Sequence, residues 1–219
     1  MFNVIVKQFH SLPAIDKKEV FRYAGGKGEL GDTVNSLMDE CIQEASSAIT
    51  GKACAILLSK QRLFDLLQGE EESLSLKKNL NGCEEVVIFA ATIGSGIDTL
   101  IRRYGKISVA KSLFFQAIGA ERIECVCNCL CSDLAQSHAL HGKVVRPRFS
   151  PGYGDFSLSA QKILFRILNP EKHLGISLTD SLMILPSKSV TALMGIGNAS
   201  IASKNCTDCN QTDCQFKRN

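Results

Sequence analysis

The chain has 219 residues, 45% of them hydrophobic and 21% charged, with a formal net charge of +3 at neutral pH. It is long enough to bury a core of its own, and its scattered Lys and Arg residues make no basic stripe of the kind that nucleic acid requires. No apolar run approaches the ~20 residues that span a bilayer, and the N-terminus lacks the basic start, apolar middle and small-residue cleavage site of a signal peptide. The expected compartment is therefore the cytoplasm, where thiols stay reduced, and the ten cysteines read as packing, metal or redox residues before disulfides.

No repeat or low-complexity linker interrupts the sequence, which predicts one domain over residues 1–200 and a cysteine-rich tail over 201–219. The first amphipathic pattern covers residues 32–49: Val34, Leu37, Met38, Cys41, Ile42, Ala45 and Ala48 recur at spacings of three and four, with Asp32 or Thr33 as the expected cap. Ala53–Leu58 and Val86–Ala91 are short apolar runs suited to buried strands, and a turn at Thr92–Gly96 leads into a helix near Ile97. The longest helical pattern runs from Val109 to Ala139, with Leu113, Ala117, Ala120, Ile123, Cys127, Leu130 and Leu134 on one face and Gly142 as its stop. Residues 146–156 are irregular. Ser157 then caps an expected helix through Leu168, stopped by Asn169-Pro170, and Leu182–Leu185 and Val190–Ile196 are expected to form a hairpin around Pro186-Ser187-Lys188. Strands and helices mix without strict βαβ alternation, which favours an α+β fold over a doubly wound sheet.

The most unusual stretch is Arg146-Pro147-Arg148-Phe149-Ser150-Pro151-Gly152-Tyr153-Gly154-Asp155. Gly152 and Gly154 allow close approach or positive φ, and the prolines stiffen the loop before anything binds. Arg148 offers a planar donor fork for a carboxylate, and Tyr153 a flat face with a hydroxyl. Taken alone, the stretch also fits an ordinary Pro/Gly surface loop.

Arg148-Phe149-Ser150-Pro151-Gly152-Tyr153 resembles the Arg-Pro-Ala-Pro-Gly-Tyr motif of the activation domain of cobalamin-dependent methionine synthase. Leu178-Thr179-Asp180-Ser181, Pro186 and Ser189-Val190-Thr191 resemble that domain's following Leu-Thr-Glu-Ser, Pro and Ser-Val-Ser elements. Free-standing bacterial relatives of the domain are also similar at Phe21-Arg22-Tyr23, at Ala91-Thr92-Ile93-Gly94, from Pro147 to Phe156 and at Leu182–Pro186, so the resemblance covers residues 15–197.

The resemblance implies a C-shaped α+β single domain, with a twisted antiparallel sheet and flanking helices, that binds S-adenosylmethionine in a shallow groove. In that family the partner's cobalt is occasionally oxidised to inactive Co(II). A reductase, commonly flavodoxin, supplies one electron and S-adenosylmethionine supplies the methyl group. The cobalamin is supplied by the partner synthase, so the domain's role is proximity rather than acid–base chemistry. By position, Arg148 is implied to hold the ligand carboxylate, the Ser150 backbone the adenosyl part, and Gly152 and Tyr153 the shape of the loop. Asp16 is the nearest counterpart of the family aspartate that binds the amino group, followed here by Lys17-Lys18-Glu19 instead of aromatic residues. Met194 stands where the fused domain has a ligand-contacting Tyr. Two other readings stay open: a redox or metal-containing activator of another corrinoid methyltransferase, and an interaction protein that has lost S-adenosylmethionine binding.

Cys125, Cys127, Cys129 and Cys131 lie inside the long helical pattern, where small buried hydrophobes are the expected role for Cys127 and Cys131. Cys206, Cys209 and Cys214 lie in a polar tail with no apolar face to bury. Their spacing suggests Zn(II) or an iron–sulfur cluster with a further ligand from elsewhere, or a redox role. His138 and His141 fit a helix C-terminus, where imidazole meets a favourable dipole.

Overall fold

The structure is a computed structural model that describes residues 3–29, 31–68 and 72–198. In chain order, strand β1 (Ile5–Phe9) precedes helices α1 (Lys17–Tyr23) and α2 (Asp32–Ser46). Strand β2 (Gly51–Ser59) leads through α3 (Lys60–Leu66) and α4 (Leu74–Asn79) to β3 (Cys83–Thr92), α5 (Gly96–Tyr104) and the long α6 (Val109–Ala139). Strand β4 (Lys143–Val145), α7 (Ala160–Leu168), α8 (Pro170–Leu174) and strands β5 (Ser177–Leu178), β6 (Ile184–Leu185) and β7 (Ser189–Asn198) follow.

The main sheet is antiparallel throughout, in the order β1-β2-β3-β7-β4, and it curls into a half barrel. Side-chain alternation on β3 explains why that strand reads as an unbroken apolar run. Val87, Phe89 and Ala91 enter one core with α1, α2, α5 and α6, while Val86, Ile88 and Ala90 enter a second with α3, α4 and α7. A strand covered on both faces has no polar side to show. The α+β, single-domain, antiparallel reading of the sequence holds.

The long helix spans Val109–Ala139 as expected, with Ser108 accepting the Lys111 N–H at 3.4 Å as its N-cap. Its buried surface is wider than one stripe. Phe114, Phe115, Ile118 and Val126 are buried and Leu113 is exposed, because the first half lies between the sheet and helices α1, α2 and α5. Two expected caps are corrected. Gly31 is the N-cap of α2, with Asp32 already its first helical residue. Ser157 accepts the Ser159 N–H in a short turn, so α7 starts only at Ala160. Asn169 takes a left-handed φ of 45°, and Pro170 opens α8 as its first residue.

The expected hairpin of Leu182–Leu185 with Val190–Ile196 does not form. Strand β6 pairs with β5 in a separate two-stranded sheet, and β7 pairs with β3 and β4. Two local anchors account for this. A turn in which the Thr179 N–H donates to the Met183 carbonyl and the Met183 N–H donates to the Thr179 hydroxyl folds β6 back on β5. The Ser187 N–H and hydroxyl both donate to Asp98 at the start of α5, which draws the connection away from β6.

Candidate functional site

Beyond Val145 the chain leaves regular structure but stays on the outer edge of β7. The Arg146 N–H donates to the Gly195 carbonyl at 2.7 Å, and Phe149 and Leu193 exchange both main-chain hydrogen bonds, at 2.8 and 2.9 Å. Phe149 faces the α7-side core, where its ring stacks on Phe156 at 6.1 Å. Strand-like alternation then places Arg148 on the opposite side, toward α6. There its guanidinium donates to Asn128 Oδ1 at 2.8 Å, reaches Cys131 Sγ at 3.8 Å, and forms an ion pair with Glu124. Positions 124, 128 and 131 follow helical spacing, so the three partners form one stripe of α6. Burial works against the Arg148 charge, but Glu124, with Cys127 and Cys131 behind it, outweighs that and raises its pKa.

The second half of the loop is pinned elsewhere. The Gly152 N–H donates to Phe156 O at 2.7 Å and the Tyr153 N–H to Ser150 O at 3.2 Å, with Gly152 and Gly154 at φ 91° and 58°. Asp155 accepts from the Leu74 N–H at 2.8 Å, the Ser75 N–H at 3.0 Å and the Ser73 hydroxyl at 2.6 Å, clamping the loop to the start of α4. No local sequence signal marks this role, since the partners lie 80 to 82 residues away. The Ser73 hydroxyl first, then the backbone amides, hold the Asp155 carboxyl well below the usual carboxylate range. Its folded pKa is depressed, so its stabilisation is present above about pH 4 and is lost as pH falls toward that lower value.

Gly154 closes the clamp by contact. A Cβ there would lie 2.7 Å from Ser75 Oγ and 3.1 Å from Ser75 Cβ, on a left-handed backbone. Gly154→Ala is therefore expected to lose about 1–3 kcal/mol, read as a shift in the urea unfolding midpoint.

Asp16 has a clear structural position. Its carboxylate caps α1, accepting the Lys18 and Glu19 N–H groups at 2.9 and 3.3 Å, and its own N–H donates to Glu121 at 3.3 Å. Glu121 is ion-paired with Arg122, which also donates to Pro13 O at 2.7 Å and Ala14 O at 3.3 Å. Residues 13–16 are thus strapped to α6 one turn before Glu124, which brings Asp16 and Arg148 to neighbouring turns of the same helix. Tyr153 is 55% exposed and its ring lies against Phe149, 6.4 Å between centroids, so its side chain does not join Arg148. Two surface depressions, of about 440 and 340 Å³, flank the α1 segment, the first beside Phe21 and Arg22 and the second beside Pro13 and Arg122. Neither borders Arg148.

The family model described as "Vitamin B12 dependent methionine synthase, activation domain" matches residues 74–204, more than half of the chain. The chain belongs to that activation-domain family. A solved structure described as the crystal structure of the MetH reactivation domain bound to AdoHcy is similar, with a TM-score of 0.62 and 13% identity. The similarity covers 89% of this chain and 78% of that one. No curated protein matches the chain.

In this activation-domain chain Met194 is a core side chain, 1% exposed in the cluster that includes Val87 and Phe89. Cys127 is buried on α6 and Cys131 packs partly against the same core, as expected of small hydrophobes. Burial pushes the Cys127 thiol up to about 12. His138 and His141 accompany the end of α6 with ring nitrogens 2.8 and 3.1 Å from the Leu134 and Ser137 carbonyls. Among the described residues no group of three or more His, Cys, Asp or Glu could hold a metal. Cys206, Cys209 and Cys214 lie outside the described residues. No described helix is long and apolar enough to cross a membrane.

Proposed function

We propose that this domain presents S-adenosylmethionine as methyl donor to a cobalamin carried by a partner methionine synthase, so that oxidised cobalt is remethylated once an electron is supplied. The observation that carries the reading is Arg148: a guanidinium fork on a loop hydrogen-bonded to β7 and clamped to α4, with the Asp16 strap one helical turn away. Membership of the activation-domain family supports the partner, and the AdoHcy bound to the MetH reactivation domain supports the ligand class.

The residues fit an amino-acid headgroup. Arg148 would hold the carboxylate and Asp16 would face the amino group. The backbone from Ser150 to Tyr153, narrowed by Gly152, would receive the adenosyl part. The ligand supplies the methyl group and leaves as S-adenosylhomocysteine. The chain's own residues bind and orient it without taking a proton, and a flavodoxin-like protein would deliver the electron. Calorimetric titration of the purified chain with S-adenosylmethionine should show binding. Co(II)-inactivated synthase should regain activity only with this chain, the ligand and a reductant together. Absence of binding would favour an interaction protein, a reading that the buried Met194 keeps open.

The cysteine tail favours a second reading, in which the chain serves another corrinoid methyltransferase and carries its own redox or metal centre. Cys206, Cys209 and Cys214 would hold Zn(II) or an iron–sulfur cluster as thiolates, so loading would release protons. Truncation before Cys206 should remove metal from anaerobically purified protein and leave S-adenosylmethionine binding intact. Equal metal content in the two proteins would exclude the tail as its site.

A further inference from the structure

Arg148 is not an open cation waiting for a ligand. Its fork is shared by Glu124 and Asn128, and the Arg148 and Glu124 side chains keep only 23% and 33% of their exposure. A second carboxylate brought to this guanidinium meets the Glu124 charge in a partly dry site, where like charges repel more strongly than in water. A ligand that carries a cation beside its carboxylate brings positive charge toward the Glu124 carboxylate and offsets that repulsion; a bare carboxylate does not.

We infer that Glu124 is a resident counter-ion that makes the Arg148 site select zwitterionic amino-acid headgroups and reject simple carboxylates. This rests on the proposed binding of S-adenosylmethionine and goes beyond it, since it assigns discrimination to a residue outside the loop. Asn128 marks the boundary of the effect. As a neutral amide it holds the fork without adding charge, and a carboxylate in its place would tighten the exclusion. The opposite signs expected at these two positions separate charge selection from simple packing.

The test uses the full chain, its E124Q and N128D variants, and two probes: S-adenosylhomocysteine and its des-amino analogue, which keeps the carboxylate and lacks the ammonium. Calorimetry should show E124Q binding the des-amino analogue about tenfold more tightly than wild type, with the preference for S-adenosylhomocysteine correspondingly reduced. N128D should bind the analogue more weakly than wild type.

A readout independent of any ligand accompanies this. Burial raises the Cys131 thiol pKa, Arg148 lowers it and Glu124 raises it, so removing the Glu124 charge should speed site-resolved alkylation of Cys131. Equal alkylation in E124Q and wild type would overturn the assignment of Glu124 as the charge facing this cluster. If S-adenosylhomocysteine binds but the preference over its analogue is unchanged in E124Q, the selectivity fails and the proposed function stands. If neither probe binds any of the three proteins, the proposed function fails and the selectivity with it.

Discussion

Replacing Arg122 with methionine is expected to cost about 3–5 kcal/mol of folding stability. Arg122 and Glu121 keep only 4% and 9% side-chain exposure, so the substitution strands a carboxylate in the interior. It also frees the Pro13 and Ala14 carbonyls that the guanidinium holds. Urea unfolding of wild type, Arg122→Met and the double variant Glu121→Leu with Arg122→Met measures this directly. The double variant should recover a substantial part of the loss, because two apolar side chains leave no unpaired charge. Equal stability of Arg122→Met and wild type would mean that the pair is solvated. The strap carrying Asp16 loses its anchor in the single variant, so S-adenosylmethionine affinity should fall with stability.

Arg148→Ala should weaken S-adenosylmethionine binding at least tenfold, about 1.5–3 kcal/mol for a charge-assisted contact to a carboxylate. Arg148→Lys should fall between the two, since lysine keeps the charge but cannot offer two parallel donors. Calorimetric titration of all three proteins, with thermal melts to establish folding, decides the point. Folded Arg148→Ala that binds as well as wild type would remove Arg148 from the site.

What could be read in advance depended on how far apart the interacting residues lie. The long helix and strands β2 and β3 were legible because their apolar positions repeat within one element. Strand β7 was legible as a strand but not in its pairing, which joins Val87 to Met194 across more than a hundred residues. The supposed hairpin failed for a related reason: Asp98, which holds Ser187, lies 89 residues upstream. Helices α3 and α4 have 7 and 6 residues and owe their starts to single caps, Ser59 and Ser73, rather than to any long periodicity.

The candidate site divided in the same way. Arg148 and Asp16 stood out as residue types in unusual surroundings, and the structure sets both against α6. Their partners were invisible: Glu124 and Glu121 sit in a helix whose sequence reads as packing, and the clamp made by Asp155 depends on a helix start far upstream. Tyr153, the most conspicuous aromatic residue of the motif, turned out to lean on Phe149.

The double hydrogen bond between Phe149 and Leu193 has a consequence for kinetics. It makes the residue next to Arg148 part of the sheet's own ladder, so the loop opens only when the edge of β7 opens, and its amides exchange with solvent on the sheet's timescale. A small molecule arriving at such a surface meets it in its final shape. Its association rate is then set by collision and orientation rather than by a closing motion, and differences in affinity among ligands appear as differences in how long each one stays.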